Sequence, residues 1–160
     1  MLKKDPQRSG DITCELSDGL RPVSASSLEA CGSDIGHQHN GMNAQEITKA
    51  IGAHGLWKSR VQVVIDTGKS DTPPEKIQDD GLCDFGKWLK GLSPAEQNGE
   101  HYKKVRNLHT LFHREAASVV RTALKQQKAA ALEAMGLHGS FTRASGALTR
   151  AMMEWQKALK

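Results

Sequence analysis

The stretch Tyr102-Lys-Lys-Val105-Arg-Asn-Leu-His109-Thr-Leu-Phe112-His113-Arg-Glu-Ala116-Ala-Ser-Val119-Val-Arg-Thr-Ala123 decides the fold. Tyr102, Val105, His109, Phe112, Ala116, Val119 and Ala123 are separated alternately by three and four residues, which places them on one face of an α-helix and marks a bundle seam. The spacing predicts a long helix from about Glu100 to Met135, broken by Gly136 and Gly139. His109 lies on that seam, and a buried imidazole must find partners for its nitrogens.

Working upstream, Asn43 is a candidate N-cap with Glu46 three residues on, an Asn form of the capping box. Ile47, Ile51, Trp57, Val61, Val64 and Ile65 then keep near-helical spacing to Thr67, and Gly68 is a natural stop. Residues 69–80, with Pro73-Pro74, read as a loop containing at most a short helical turn. A short helix over Leu82–Lys90 follows, closed by Gly91, and Ser93-Pro94-Ala95-Glu96 forms a second capping box. Downstream, Ala144, Leu148, Ala151, Met152, Trp155 and Leu159 share one face of a last helix, Ser140–Leu159. No strand pattern competes. The expected architecture is all-α, an antiparallel four-helix-type bundle with a polar N-terminal arm. Its parts are the arm at 1–43, loosely structured and without an aromatic residue, the bundle at 44–135, and an amphipathic C-terminal helix at 136–160 that packs on the bundle or on a partner.

Composition agrees with a small helical domain. The chain has 160 residues, 38% of them hydrophobic, and only seven aromatics (three Trp, one Tyr, three Phe), which suits aliphatic and Ala packing better than a β-sandwich. No segment approaches the roughly 20 apolar residues of a membrane-spanning helix, so no membrane insertion is expected. A net charge of +4 is spread among interspersed acids and bases, which argues against a nucleic-acid partner. Three cysteines, an odd number at wide spacing, fit reduced thiols in the cytoplasm, and Met1-Leu2-Lys3-Lys4 leads into no apolar export run.

His109-Thr-Leu-Phe-His113 is the most informative motif. Histidines at i and i+4 project from one helix face and can reach one metal ion; the plain alternative is two partly exposed helix histidines. His54 falls on the apolar face of the first helix, where a hydrogen-bonded core histidine is the competing reading. Cys83 is otherwise a small buried hydrophobe. Brought together in a bundle, His54, Cys83, His109 and His113 make a His3Cys set, which Zn²⁺ accepts in tetrahedral geometry; ligand type leaves copper and iron open. Gly68-Lys69-Ser70 is not a phosphate-binding loop, because Val63 stands where that motif needs Gly. Cys14, Cys31, His37 and His39 match no standard ligand spacing. No nucleophile–base pair or paired carboxylates suggest an enzyme.

Three motifs in order, His54-Gly-Leu-Trp57, Cys83-Asp-Phe-Gly-Lys-Trp88-Leu89 and His109-Thr-Leu-Phe-His113, resemble the chemoreceptor zinc-binding (CZB) domain family over roughly residues 44–125. The resemblance implies zinc on His54, Cys83, His109 and His113, and Cys83 as the redox-reactive group. It also implies a cytoplasmic regulatory role in bacterial chemoreceptors or diguanylate cyclases, responding to zinc or to oxidants such as hypochlorous acid. A zinc-bound thiolate is the form oxidants attack. Gly86 would allow close helix approach, and Trp57, Phe85, Trp88 and Phe112 would wall the site. The competing function is a structural or adaptor module in which zinc only fixes the fold; a metalloenzyme is disfavoured because four protein ligands leave no open position. No receptor signalling hairpin or cyclase signature accompanies the motifs, so the expectation is either a stand-alone domain or a fragment, with output through another protein or a self-associated state. The Tyr102–Ala123 seam and the last helix, with Met152, Met153 and Trp155, are candidate dimer surfaces, ordinary intramolecular core being the other reading for most of those positions.

Overall fold

The computed structural model describes residues 41–160, in which every regular element is a helix. They are α1 (Ala44–Gly55), α2 (Trp57–Thr67), α3 (Pro74–Gln78), α4 (Asp84–Gly91), α5 (Pro94–Gln97), α6 (Glu100–Leu124), α7 (Lys128–Met135) and α8 (Ser140–Ala158). Most of the proposed arm, and Cys14, Cys31, His37 and His39 with it, lies outside the described residues.

Side-chain pairings give the direction of each leg. Tyr102 meets Trp155, Lys104 pairs with Glu154 at 2.7 Å, and Phe112 meets Phe141, so α8 runs antiparallel to α6. His54 lies against His109 and Trp57 against His113, so α1–α2 runs parallel to α6. Between them, Ile77 reaches His113, Asp80 reaches Arg106, and Cys83 reaches His109, so the α3–α4 leg descends antiparallel to α6. The result is an up-down-up-down bundle whose second leg is made of short helical pieces.

The seam read from the sequence is the centre of the core. Tyr102, Val105, His109, Phe112, Ala116, Val119 and Ala123 are all buried, as are Leu148, Ala151, Met152 and Trp155 on the facing side of α8. These positions spend their apolar surface within the chain, while Met153 remains exposed. Burial of that area is the main favourable term holding the legs together.

Helix ends follow local chemistry. Asn43 caps α1 by accepting the Gln45 N–H at 2.8 Å. Gly68 ends α2 in the left-handed region, at φ 66°, where a side chain would be strained. Pro74 opens α3 at N1, where its missing N–H costs nothing. The Ser93–Glu96 capping box forms in full, Ser93 N–H donating to Glu96 Oε2 at 2.8 Å and Ser93 Oγ accepting from Glu96 N–H.

Two long helices expected from periodicity are each interrupted. The first breaks at Leu56, between α1 and α2, in a stretch weakened by Gly52 and Gly55. The second ends at Leu124, because Gln126 takes a left-handed backbone (φ 61°) before α7 begins. The fourth-leg helix, α8, starts at Ser140 as its spacing predicts. The segment 69–80, read as a loop, contains the five-residue α3.

Candidate metal centre

The four functional side chains are delivered by three pieces of local structure. Ile47, Ala50 and His54 share the buried face of α1. His109 and His113 stand one turn apart on α6, on the same face as Val105 and Phe112. Cys83 is the N-cap of α4, with its Sγ accepting the Gly86 N–H at 3.2 Å. Gly86 is required there, since a Cβ would come within 1.8 Å of the Asp80 carbonyl oxygen.

These elements bring four donor atoms together. One atom each from His54, Cys83, His109 and His113 lies within 4.8 Å of the others. His109 Nε2 is 3.1 Å from His54 Nε2 and 3.3 Å from Cys83 Sγ. A tetrahedral zinc site with ordinary bond lengths has N–N edges of about 3.3 Å and N–S edges of about 3.6 Å. The two His109 separations match these edges to within a few tenths of an ångström.

Hydrogen bonds settle which nitrogens face inward. His54 Nδ1–H donates to the Ala50 carbonyl at 2.8 Å, and His113 Nδ1–H donates to the Ile77 carbonyl at 2.7 Å. Both rings therefore turn a bare Nε2 lone pair toward the cluster. His113 Nε2 is buried and has no hydrogen-bond partner among the described residues, and His109 Nδ1 is also without one. An unsatisfied buried nitrogen costs about 1–3 kcal/mol, which a cation bound at Nε2 of His113 would offset. The orphaned nitrogen and the mixed donor set fit zinc.

Electrostatics point the same way. Burial is the largest cause holding His54 down to about 4 and His109 down to about 3, and it lowers His113 as well. All three imidazoles are thus neutral at pH 7, the state that binds metals. Burial pushes the Cys83 thiol up, with Asp80 and Asp84 adding to it, against the N–H groups of Gly86 and Phe85. A metal-free Cys83 is therefore a thiol at neutral pH, and metal binding must remove its proton.

Aromatic residues enclose the cluster in layers. Phe112 sits edge-on to His54 at 5.1 Å, and Phe85 edge-on to His109 at 5.2 Å. Trp57 flanks His113, whereas Trp88 stands one layer back, stacked on Phe85 at 5.5 Å. The enclosure is incomplete. A cavity of about 600 Å³, lined by Trp57, Arg60, Ile77, Leu82 and others, reaches Cys83 and His113 from one side. A smaller one of about 290 Å³, which shares Trp57, Arg60 and Cys83 with it, reaches His54.

Three residues near the site escaped the sequence reading. Asp80 is tied to α6 through Arg106 and Thr110. Arg106 and Thr110 share an i, i+4 spacing, but nothing local links them to Asp80, which lies in an acidic turn 26 residues earlier.

Among the described residues no helix is long and apolar enough to cross a membrane. Residues 54–120 match the family model of the chemoreceptor zinc-binding domain, a zinc-binding sensory domain rather than a catalytic family. No curated protein and no solved structure gives a significant match.

Proposed function

We propose, from the premise that residues 54–120 are a chemoreceptor zinc-binding domain, that this chain is a cytoplasmic sensory element for zinc or oxidants. His54, Cys83, His109 and His113 would hold the ion, and Cys83 would report on it. The observation that carries this reading is the convergence of the four donors, with the Nδ1 protons of His54 and His113 already committed to carbonyls. When bound, zinc supplies the positive charge that keeps Cys83 as a thiolate.

The chain's own groups define the response. His54 and His113 are held in one tautomer by Ala50 and Ile77, so no proton has to leave an imidazole when the site fills. Cys83 is partly exposed and reached by two cavities, so a small reagent can approach its sulfur. Attack of that thiolate on the chlorine of hypochlorous acid would give a sulfenyl chloride and hydroxide, and water would then displace chloride to leave a sulfenic acid and a proton. The α4 end of the α3–α4 leg would then lose the tie that the metal makes between Cys83 and the α6 histidines, a local change suited to signalling. The signal would pass to a chemoreceptor, to a diguanylate cyclase in cyclic-di-GMP signalling, or across a homodimer.

Zinc analysis of purified protein tests the premise, with near one equivalent expected in the parent protein and weaker binding, through the three ligands that remain, in Cys83→Ala or His109→Ala. Treating the loaded protein with hypochlorous acid tests the sensor. Zinc release with Cys83 oxidised ahead of Cys14 and Cys31 is expected, and equal oxidation with an unchanged helix content would leave zinc a purely structural role.

A further inference from the structure

The segment that presents Cys83 is a short turn between two short helices, with little apolar burial of its own. Something must fix it, because a sulfur misplaced by an ångström no longer completes a tetrahedral site. Four hydrogen bonds bear on the turn's position. Asp79 Oδ1 accepts the Gly81 N–H at 3.0 Å, which sets the turn internally. The Asp80 carbonyl lies 3.5 Å from Cys83 Sγ and accepts from its thiol. The Asp80 carboxylate accepts from Arg106 Nη1 at 2.7 Å and from Thr110 Oγ1.

Arg106 and Thr110 sit on either side of His109 in α6, and Arg106 Nη1 also donates to Thr110 Oγ1 at 3.2 Å. The Asp80 side chain is only 12% exposed. One residue thus holds α6 through its side chain, one helical turn from the ligand histidines, and meets the sulfur through its carbonyl. A charge-assisted, partly buried contact of this kind fixes geometry more firmly than a surface ion pair does.

We infer that Asp80 is a positioning residue for Cys83: its carboxylate, clamped by Arg106 and Thr110, fixes the turn at 79–83 on α6 and delivers Sγ to the three imidazoles. The inference rests on the zinc-site reading above. It gives the clamp a role after the sulfur leaves the metal as well, since the turn stays docked on α6 and Cys83 remains close enough to be recaptured.

The test uses the full chain with Cys14→Ser and Cys31→Ser, and Co²⁺ as the probe. Three imidazoles and a thiolate on Co²⁺ give visible ligand-field bands and a near-ultraviolet thiolate-to-metal charge-transfer band. Asp80→Ala is expected to weaken Co²⁺ binding about tenfold and to diminish the charge-transfer band at saturating metal while the ligand-field bands persist. In the metal-free protein the same variant should label Cys83 with a thiol reagent several times faster. In a Cys83→Ala background, Asp80→Ala should change Co²⁺ affinity by less than about twofold, since the effect travels through the sulfur. Thr110→Val removes one arm of the clamp and carries the same expectations, to a smaller degree, if Asp80→Ala does not fold. Undiminished charge transfer and affinity in both variants, or an equal loss in the Cys83→Ala background, would overturn the inference while leaving the metal site intact. Failure of the parent protein to bind Co²⁺ or Zn²⁺ would overturn the zinc reading itself.

Discussion

Raising the pH from 5.5 to 7.5 should tighten zinc binding by about 100-fold and by less than 1,000-fold, and the number follows from which groups carry protons. Metal binding is linked to the protons its ligands must release, one tenfold step per pH unit for each proton. Cys83, pushed up by burial, is a thiol across this range and gives one full proton, hence about 100-fold over two pH units. An ordinary histidine near 6.5 would add about tenfold over the same interval. Three ordinary histidines would bring the total to about 100,000-fold. His54, at about 4, and His109, at about 3, are already deprotonated at pH 5.5 and add almost nothing. His113 is lowered too and adds less than its ordinary share. The assay is competition against a chromophoric chelator of known protonation, with far-ultraviolet circular dichroism confirming the fold at each pH. A rise of 10,000-fold or more would show that the imidazoles are protonated in the empty site, refuting the argument from burial and fixed tautomers.

The same buried histidines make the metal-free protein acid-sensitive. Their lowered values mean the unfolded chain binds more protons below about 6.5, so stability falls with pH toward 4; between pH 7.5 and 5 His54 and His109 together should cost about 4 kcal/mol, read by urea unfolding with chelator present. Gly86→Ala drives a Cβ into the Asp80 carbonyl, a backbone atom that cannot step aside, and should cost at least tenfold in zinc affinity by displacing the Cys83 turn; unaltered affinity would show that the turn is free to shift. Gln126→Gly should raise stability by about 0.5–1 kcal/mol, because glycine takes the left-handed backbone without strain, and a lower midpoint on chemical unfolding would count against this.

What the sequence made legible was whatever local periodicity encodes. The alternating three- and four-residue steps from Tyr102 to Ala123 put His109 on a buried face, and the i, i+4 spacing put His113 beside it; the structure buries both. Capping chemistry at Asn43, Gly68 and Ser93 could be read for the same reason, since each acts within four residues. The break at Gln126 could not. Leu124-Lys-Gln-Gln-Lys128 is composed of good helix formers, and only the need to turn α7 out of line with α6 can override them. The Asp80 clamp was equally hidden, because its partners are distant in sequence and meet only once the α3–α4 leg has docked. The layering of the aromatics also needed the fold: motif membership put Trp88 beside the ligands, whereas it stands behind Phe85.

That layering has an optical consequence. From His109 the rings run through Phe85 to Trp88 and on to Trp155, which lies 5.7 Å from Trp88 and beside Tyr102. The Trp88 indole N–H is buried and finds no acceptor among the described residues. If the proposed loss of a sulfur–metal bond tilts α4, that N–H would meet water and the contact between the two indoles would loosen. The chain thus carries its own dye. Its fluorescence should shift to longer wavelength, and its near-ultraviolet dichroism should weaken, in step with the state of Cys83 and without an added label.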